Sequence, residues 1–334
     1  ELHLHPRWQR IFLGLFRDLA PERACQFVIT THSPTFVTPD TINSITRVFR
    51  VPGRGSSRVA LRDVDLPQKK SLVRMINSQN NERLFFADKV VLVEGISDRL
   101  VLTSLLESAA LQFRNSAAVE IIEVGGKGNF ADYQTILRGL LTLSFVVADR
   151  DYLGDVGSQA TKALFTPDPE KQFQILTQDK KSLDRVSLIE RLDSAIKAGE
   201  LEELRKFWNY FISRLQRMKD PLADHESREI ERDLTRLRSE SIFVLRHGEI
   251  EDYLPEGVRE TRSIVDTLVD RNWINRVTEP QRRVELGEIV CAILDPPTEE
   301  RDRFLEQLKT ATVSFPAPGS DTDVRLGVSG LQPA

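Results

Sequence analysis

Val90-Val91-Leu92-Val93-Glu94-Gly95-Ile96-Ser97-Asp98 is an apolar run that stops at an acid and a glycine. Four apolar residues bounded in this way read as a buried strand, and the apolar positions Leu100, Val101, Leu105 and Leu106 that follow read as one face of a helix. The pattern then repeats. Val119 to Val124 is a second strand, ending in Gly125-Gly126-Lys127-Gly128 ahead of a helix from about 129 to 141. Leu143 to Ala148 is a third, ending in Asp149-Arg150-Asp151. Three strand-then-helix units with near-continuous apolar strands predict an α/β fold built on a parallel sheet with helices on both faces.

Working outward, residues 67–87 read as a connector helix, and residues 1–66 as the tail of a nucleotide-binding domain. That tail holds a helix from Trp8 to Leu19, a strand Gln26-Phe27-Val28-Ile29-Thr30, and two β-branched runs, Ile45 to Val51 and Arg58 to Leu61, around a Gly- and Ser-rich turn. Downstream of the first sheet segment (88–166), residues 167–240 read as a helical insertion. Its stretch from 201 to 240 has nine Lys/Arg against nine Asp/Glu, the composition of a solvated face laced by helix-spaced ion pairs. Ser241 to Leu245 resumes the sheet and leads into the acidic segment that closes 241–256; helices fill 257–315, and 316–334 reads as a loop or disordered tail.

A chain of 334 residues allows about two domains. No apolar run approaches the ~18 residues of a membrane span, so a membrane location is not expected. Two cysteines, Cys25 and Cys291, build neither a disulfide framework nor a four-thiolate zinc site, and both read as buried thiols of a reducing cytoplasm. The opening Glu1-Leu2-His3-Leu4-His5-Pro6 reads as a start inside a larger protein. A net charge of −4 argues against holding nucleic acid by bulk charge alone, so any polyanion must be held by local basic patches or by metal ions. From Arg47 to Arg74 eight Lys/Arg stand against two Asp, and Arg54 and Arg58 in the turn region are the candidate residues for such a contact, DNA-binding if the polyanion is DNA.

Acids gather where the predicted strands end: Glu94 after the first, Asp149 and Asp151 after the third, Glu249 and Glu251 after the last, with Asp98 one helical turn beyond Glu94. In an open parallel sheet the carboxyl ends of the strands share one rim, where ligand crevices form. Six like charges there cannot all remain ionised without compensation. Two divalent cations, helped by Lys127, Arg150 and Arg246 on neighbouring loops, would neutralise them, and oxygen donors of this kind suit Mg²⁺ or Mn²⁺.

The segments 91–98 and 146–151 together resemble the Toprim fold. Glu1 to Pro6 resembles the stretch after the Walker B acids of ABC-type ATPases, and Ile29-Thr30-Thr31-His32-Ser33-Pro34 resembles their switch-histidine segment. An ABC-type ATPase followed by a Toprim domain that a helical insertion interrupts is the layout of the OLD (overcoming lysogenization defect) family nucleases, whose late acidic motif Glu249-Ile250-Glu251-Asp252-Tyr253 resembles. The resemblance implies a metal-dependent DNA endonuclease with two ions: Glu94, Asp149 and Asp151 at one, Asp98, Glu249 and Glu251 at the other, and Lys127 and Arg246 steadying charge. It implies ATP binding and homodimerisation through an ATPase domain in a full-length protein. Glu1 and His32 would be parts of an incomplete nucleotide site, since no Gly-x-x-x-x-Gly-Lys-Ser/Thr occurs. Three other readings stay open. A topoisomerase would use one of Tyr133, Tyr152, Tyr210 or Tyr253; a primase would want a zinc module; a non-catalytic DNA-binding or dimerisation module would keep the acids only for the fold.

Overall fold

The computed structural model describes residues 4–51, 53, 55–64, 66, 75–76, 81–113, 118–165, 185–205, 207, 218–219 and 221–316. The chain divides into two compact units, Glu1–Val147 with Glu249–Ala334, and Ala148–Gly248.

The first unit begins with α1 (Pro6–Glu22), where Pro6 occupies the first turn and His5 Nδ1 accepts the Arg7 N–H at 3.2 Å. Its apolar residues Trp8, Ile11, Phe12 and Leu15 are exposed. The strand expected over 26–30 does not form: the segment pairs with no strand among the described residues, and Val28 is 85% exposed. An apolar run becomes a strand only where a neighbour completes its ladder. The hairpin is present as β1 (Thr46–Val51) and β2 (Gly55–Ala60), antiparallel from Thr46↔Ala60 to Val51↔Gly55, with Gly53 and Gly55 at positive φ in its turn. Arg47 fastens it to the sheet layer, donating to Leu140 O at 2.7 Å and Ala87 O at 2.8 Å. Of the expected connector helix only 75–76 and a 3₁₀ turn, Asn81–Phe85, fall within the described residues.

The sheet follows as β3 (Lys89–Val93), α2 (Ile96–Gln112), β4 (Val119–Glu123), α3 (Phe130–Gly139) and β5 (Leu143–Ala148). Strand order is β4-β3-β5-β6, and β3 pairs in parallel with both β4 and β5. Val90 to Val93 are fully buried, as are Val146, Val147 and Ala148, which is the burial a central parallel strand covered on both faces requires.

In the second unit α4 (Leu153–Val156) and α5 (Gln159–Lys162) are tied to α7 (Asp224–Ser239) through Asp233, whose Oδ2 accepts Thr161 Oγ1 at 2.6 Å and the Ser158 N–H at 2.7 Å. Between them lies α6 (Arg185–Ala198). As its composition predicts, α7 carries helix-spaced ion pairs, Arg232–Glu229 and Arg236–Glu240 among them. β6 (Ile242–Val244) is buried, and just beyond it the Leu245 N–H donates to Ala148 O at 2.9 Å.

The first unit closes with α8 (Thr261–Leu268), α9 (Pro280–Leu294) and α10 (Thr298–Thr310). Gly287 lets α9 and α10 touch: a Cβ there would lie 2.2 Å from Leu308 Cδ1. Arg283, 5% exposed, donates to Leu308 O at 2.6 Å, Lys309 O at 2.8 Å, Thr278 O at 3.2 Å and Val277 O, and so satisfies carbonyls where α10 ends. Phe304 packs edge-on against Phe113 at 5.2 Å, and Trp273 donates to Ser104 of α2 at 3.2 Å. Cys291 is buried on α9, its thiol pushed up to about 11 by that burial, whereas Cys25 is exposed, against the expectation that both are buried. No helix among the described residues is long and apolar enough to cross a membrane.

Arg283→Met would leave those carbonyls without their donor inside a packed interface. Urea unfolding should register a loss of roughly 3 kcal/mol; a loss below about 0.5 kcal/mol would mean that the guanidinium stabilises little.

Candidate metal centre

β3 is buried to its last residue, so Glu94 emerges where the sheet ends, and Gly95 starts α2. Asp98 stands one turn into that helix, and its Oδ2 accepts the Gly95 N–H at 2.9 Å. The bond closes one half of a capping box, which draws the carboxyl back toward the strand end. Asp98 is 5% exposed. Burial, with the charges of Glu251 and Glu94, raises its midpoint to about 7 against the pull of the Gly95 hydrogen bond. Asp98 is therefore near enough to Glu251 and to Glu94 to feel their charges.

Glu251 comes from the 3₁₀ turn Ile250–Tyr253, which packs on α2. Glu249 is exposed at the start of that turn; its N–H donates to Asp252 Oδ2 at 3.1 Å, and Asp252 Oδ1 pairs with Arg259 at 2.6 Å. On the other side of β3 the loop after β4 is laced to the same strand end, Val124 N–H to Val93 O at 2.9 Å and Gly125 N–H to Glu94 O at 3.2 Å. Gly125 and Gly126 have φ of 69° and 115°, a conformation that favours glycine, and Asn129 Nδ2 ties the loop to Val124 O at 2.8 Å. Lys127 rides on this loop, half-buried in the 3₁₀ turn Lys127–Asn129.

One acid of this region escapes the sequence reading. Glu123 ends β4 opposite Val93, is 8% exposed, and pairs with Arg99 of α2 at 2.6 Å.

Asp149 follows β5 directly and Asp151 is exposed in the 3₁₀ turn Arg150–Tyr152; both belong to the second unit, where the Arg150 N–H donates to Gly248 O at 2.9 Å. Arg246, expected to add positive charge near the acids, pairs with Glu231 of α7 at 3.1 Å. His32 is exposed, while its neighbour Ser33 donates to Gln9 of α1 at 2.6 Å. Glu1 and Arg54 lie outside the described residues; Arg58 is exposed on β2.

Among the described residues no group of three or more His, Cys, Asp or Glu side chains is drawn close enough to hold a metal ion as it stands. The donor chemistry nevertheless fits a hard cation. Glu94, Asp98 and Glu251 offer only oxygen, and their mutual repulsion is what a divalent ion would relieve.

A parallel sheet with acids at its strand ends, followed by an acidic turn on the first helix, defines a protein with a Toprim domain. Comparison with known proteins shows what the chain is similar to. Residues 85–151 match the family described as overcoming lysogenization defect protein-like, TOPRIM domain, and residues 1–38 match an AAA domain family of the AbiEii toxin, Type IV TA system, description. The chain is 28% identical over 160 residues to the OLD nuclease of Thermus scotoductus (strain ATCC 700910 / SA-01), covering 45% of this chain and 29% of that protein. It is 23% identical over 284 residues to the Old nuclease of Escherichia phage P2, covering 81% of this chain and 45% of that protein. A solved structure, the C-terminal region of the Xanthomonas campestris pv. campestris OLD protein, aligns at 16% identity over 69% of this chain and 95% of that one with a TM-score of 0.25. The chain spans less than half the length of these curated relatives. The chain is thus similar to OLD nucleases, and its residues 85–151 match an OLD-like Toprim domain.

A carboxyl group whose midpoint is raised in the folded chain contributes stability that is full below its unfolded value and lost as pH rises through the folded one. Asp98→Asn keeps an oxygen for the Gly95 N–H and cannot ionise. Without metal it should therefore be more stable than the parent at pH 8 by ~2 kcal/mol, the gap closing toward pH 4, as read by denaturant unfolding. A less stable variant at pH 8 would show that the ionised carboxylate is held by a partner rather than repelled.

Proposed function

We propose that this chain carries the cleavage site of a metal-dependent DNA endonuclease, with Glu94, Asp98, Glu249 and Glu251 as oxygen ligands for Mg²⁺ or Mn²⁺. Asp149 and Asp151, which follow β5 in the chain, complete the set that the resemblance implies. The observation that carries the reading is the buried Asp98 carboxyl, whose midpoint is raised to about 7 by burial first and then by the charges of Glu251 and Glu94. Such a cluster is costly to keep without a cation, and the relatives are named nucleases.

Bound divalent ions supply an activated water and charge neutralisation at the scissile phosphate. The chain's own residues do the rest. Asp98 must release its proton before it can ligate, so binding should be favoured as pH rises through 7. Lys127, on the loop that Asn129 ties to Val124, would meet a phosphate oxygen beside the acids. Arg246 is paired with Glu231, so its part in this scheme would be to hold α7 to the loop after β6 rather than to touch substrate. An ATPase domain to which residues 1–66 belong in part, with Glu1 and His32 in its nucleotide site, would bring ATP control and dimerisation in a longer protein.

DNA would be held by exposed cations of the hairpin. Arg50 and Arg58 lie on one face of it, by the register Arg50↔Ser56 and Val48↔Arg58. Arg47 is not available, because both of its terminal nitrogens donate to main-chain carbonyls.

Glu94→Ala and Asp149→Ala should each abolish Mn²⁺-dependent nicking of supercoiled plasmid while melting no lower than the parent in EDTA. If both still nick, the site is elsewhere; if the parent never nicks, the chain is a non-catalytic module. For the hairpin, DNA affinity should fall with salt at a log–log slope of about −3 to −5, flattened by roughly one to two units in the Arg50→Ala, Arg58→Ala double variant. A slope unmoved by the double variant would remove the hairpin from the interface.

A further inference from the structure

The segment Glu249 to Tyr253 is short, polar and irregular, yet every residue beside Glu251 is pinned. Tyr253 is completely buried, and its hydroxyl donates to Glu285 Oε2 of α9 at 2.5 Å; Glu285 is itself only 4% exposed. Asp252 is held at three points. Its carbonyl oxygen accepts Arg282 of α9, its Oδ1 pairs with Arg259 at 2.6 Å, and its Oδ2 accepts the Glu249 N–H at 3.1 Å. Arg282 is in turn steadied by Glu279 one turn earlier, at 3.5 Å. The turn so held packs on α2, the helix that carries Asp98.

A buried carboxylate and a buried tyrosine cost free energy to enclose unless each serves the other, and a neutral pair of the same shape would fill this space more cheaply. Isolated 3₁₀ turns have poor hydrogen-bond geometry and do not by themselves fix a side chain. What fixes this one is α9, one turn of which offers Arg282 to the main chain and Glu285 to the Tyr253 hydroxyl.

We propose that α9 is a positioning clamp for the candidate metal site, with Glu285 and Arg282 as positioning residues that hold Glu251 toward Asp98 through Tyr253 and Asp252. This inference rests on the reading of Glu251 as a site residue. Partners that orient a ligand without touching the ion typically matter by 10- to 100-fold in metal affinity.

The test is direct Mn²⁺ binding to the whole chain without DNA, read as loss of the free-ion signal in electron paramagnetic resonance, with melting temperature recorded for every variant. Tyr253→Phe, which removes one buried hydroxyl, and Arg282→Gln, which acts at a half-exposed site and empties no core, should each weaken Mn²⁺ binding about tenfold. Glu285→Gln keeps an oxygen that accepts the tyrosine hydroxyl and should stay near the parent. Glu251→Ala sets the scale for losing the ligand itself. Parent-like binding by both Tyr253→Phe and Arg282→Gln, beside a loss in Glu251→Ala, overturns the clamp and leaves the site reading standing. Parent-like binding by Glu251→Ala overturns the site reading, and the clamp falls with it.

Discussion

Asp98 is buried at the start of α2, and that burial, with the added charges of Glu251 and Glu94, opposes its ionisation; this cost is the constraint that the rest of the first unit must offset. Three acids of one sign do not gather at the end of an apolar strand by hydrophobic packing. They are held there by covalent continuity with β3, by the cap between Asp98 and Gly95, and by the turn that presents Glu251. The stability that the cluster subtracts has to come from elsewhere in the unit. It comes from the buried Val90 to Val93 of β3, from the buried Val146 and Val147 of β5, and from the α9–α10 pair, where Arg283 and Gly287 allow close packing without stranded carbonyls.

The same arrangement separates acids by environment. Asp98 is raised to about 7 by burial and like charge; Glu123, equally buried on the next strand, lies against Arg99 and has its opposite charge at 2.6 Å. One acid is compensated within the protein and the other is not. On the proposed reading a divalent cation would complement the second kind, and the charge it would meet on Asp98 develops as pH rises through about 7.

Much of this was legible in the sequence. The apolar runs ending in Glu94-Gly95 and Ala148-Asp149 mark strands that stop at a rim, and Asp98, one turn beyond Glu94, had to lie on the first turn of the helix between them. Glu123 was not legible as a site neighbour, because Val119 to Val124 reads as a strand from its apolar residues and the partner, Arg99, is set by strand register rather than by spacing. The pairing of Arg246 with Glu231, fifteen residues earlier on α7, is likewise a contact that no local pattern announces. Arg47 belongs to the most basic stretch of the chain, yet its acceptors are carbonyls of Leu140 and Ala87, contacts that no local pattern announces. The run 26–30 has the composition of a strand, and composition cannot supply the neighbouring strand that its ladder needs.

The account turns on whether the acids at the end of β3 and in the late turn form one cation site. Diffraction from crystals soaked in Mn²⁺, collected where manganese scatters anomalously, addresses this without reference to any activity. The account predicts an anomalous peak at bonding distance, about 2.0 to 2.4 Å, from carboxylate oxygens of Glu94 and of Glu251 or Asp98. A strong peak bound elsewhere on the chain, with none at these carboxylates, would contradict it.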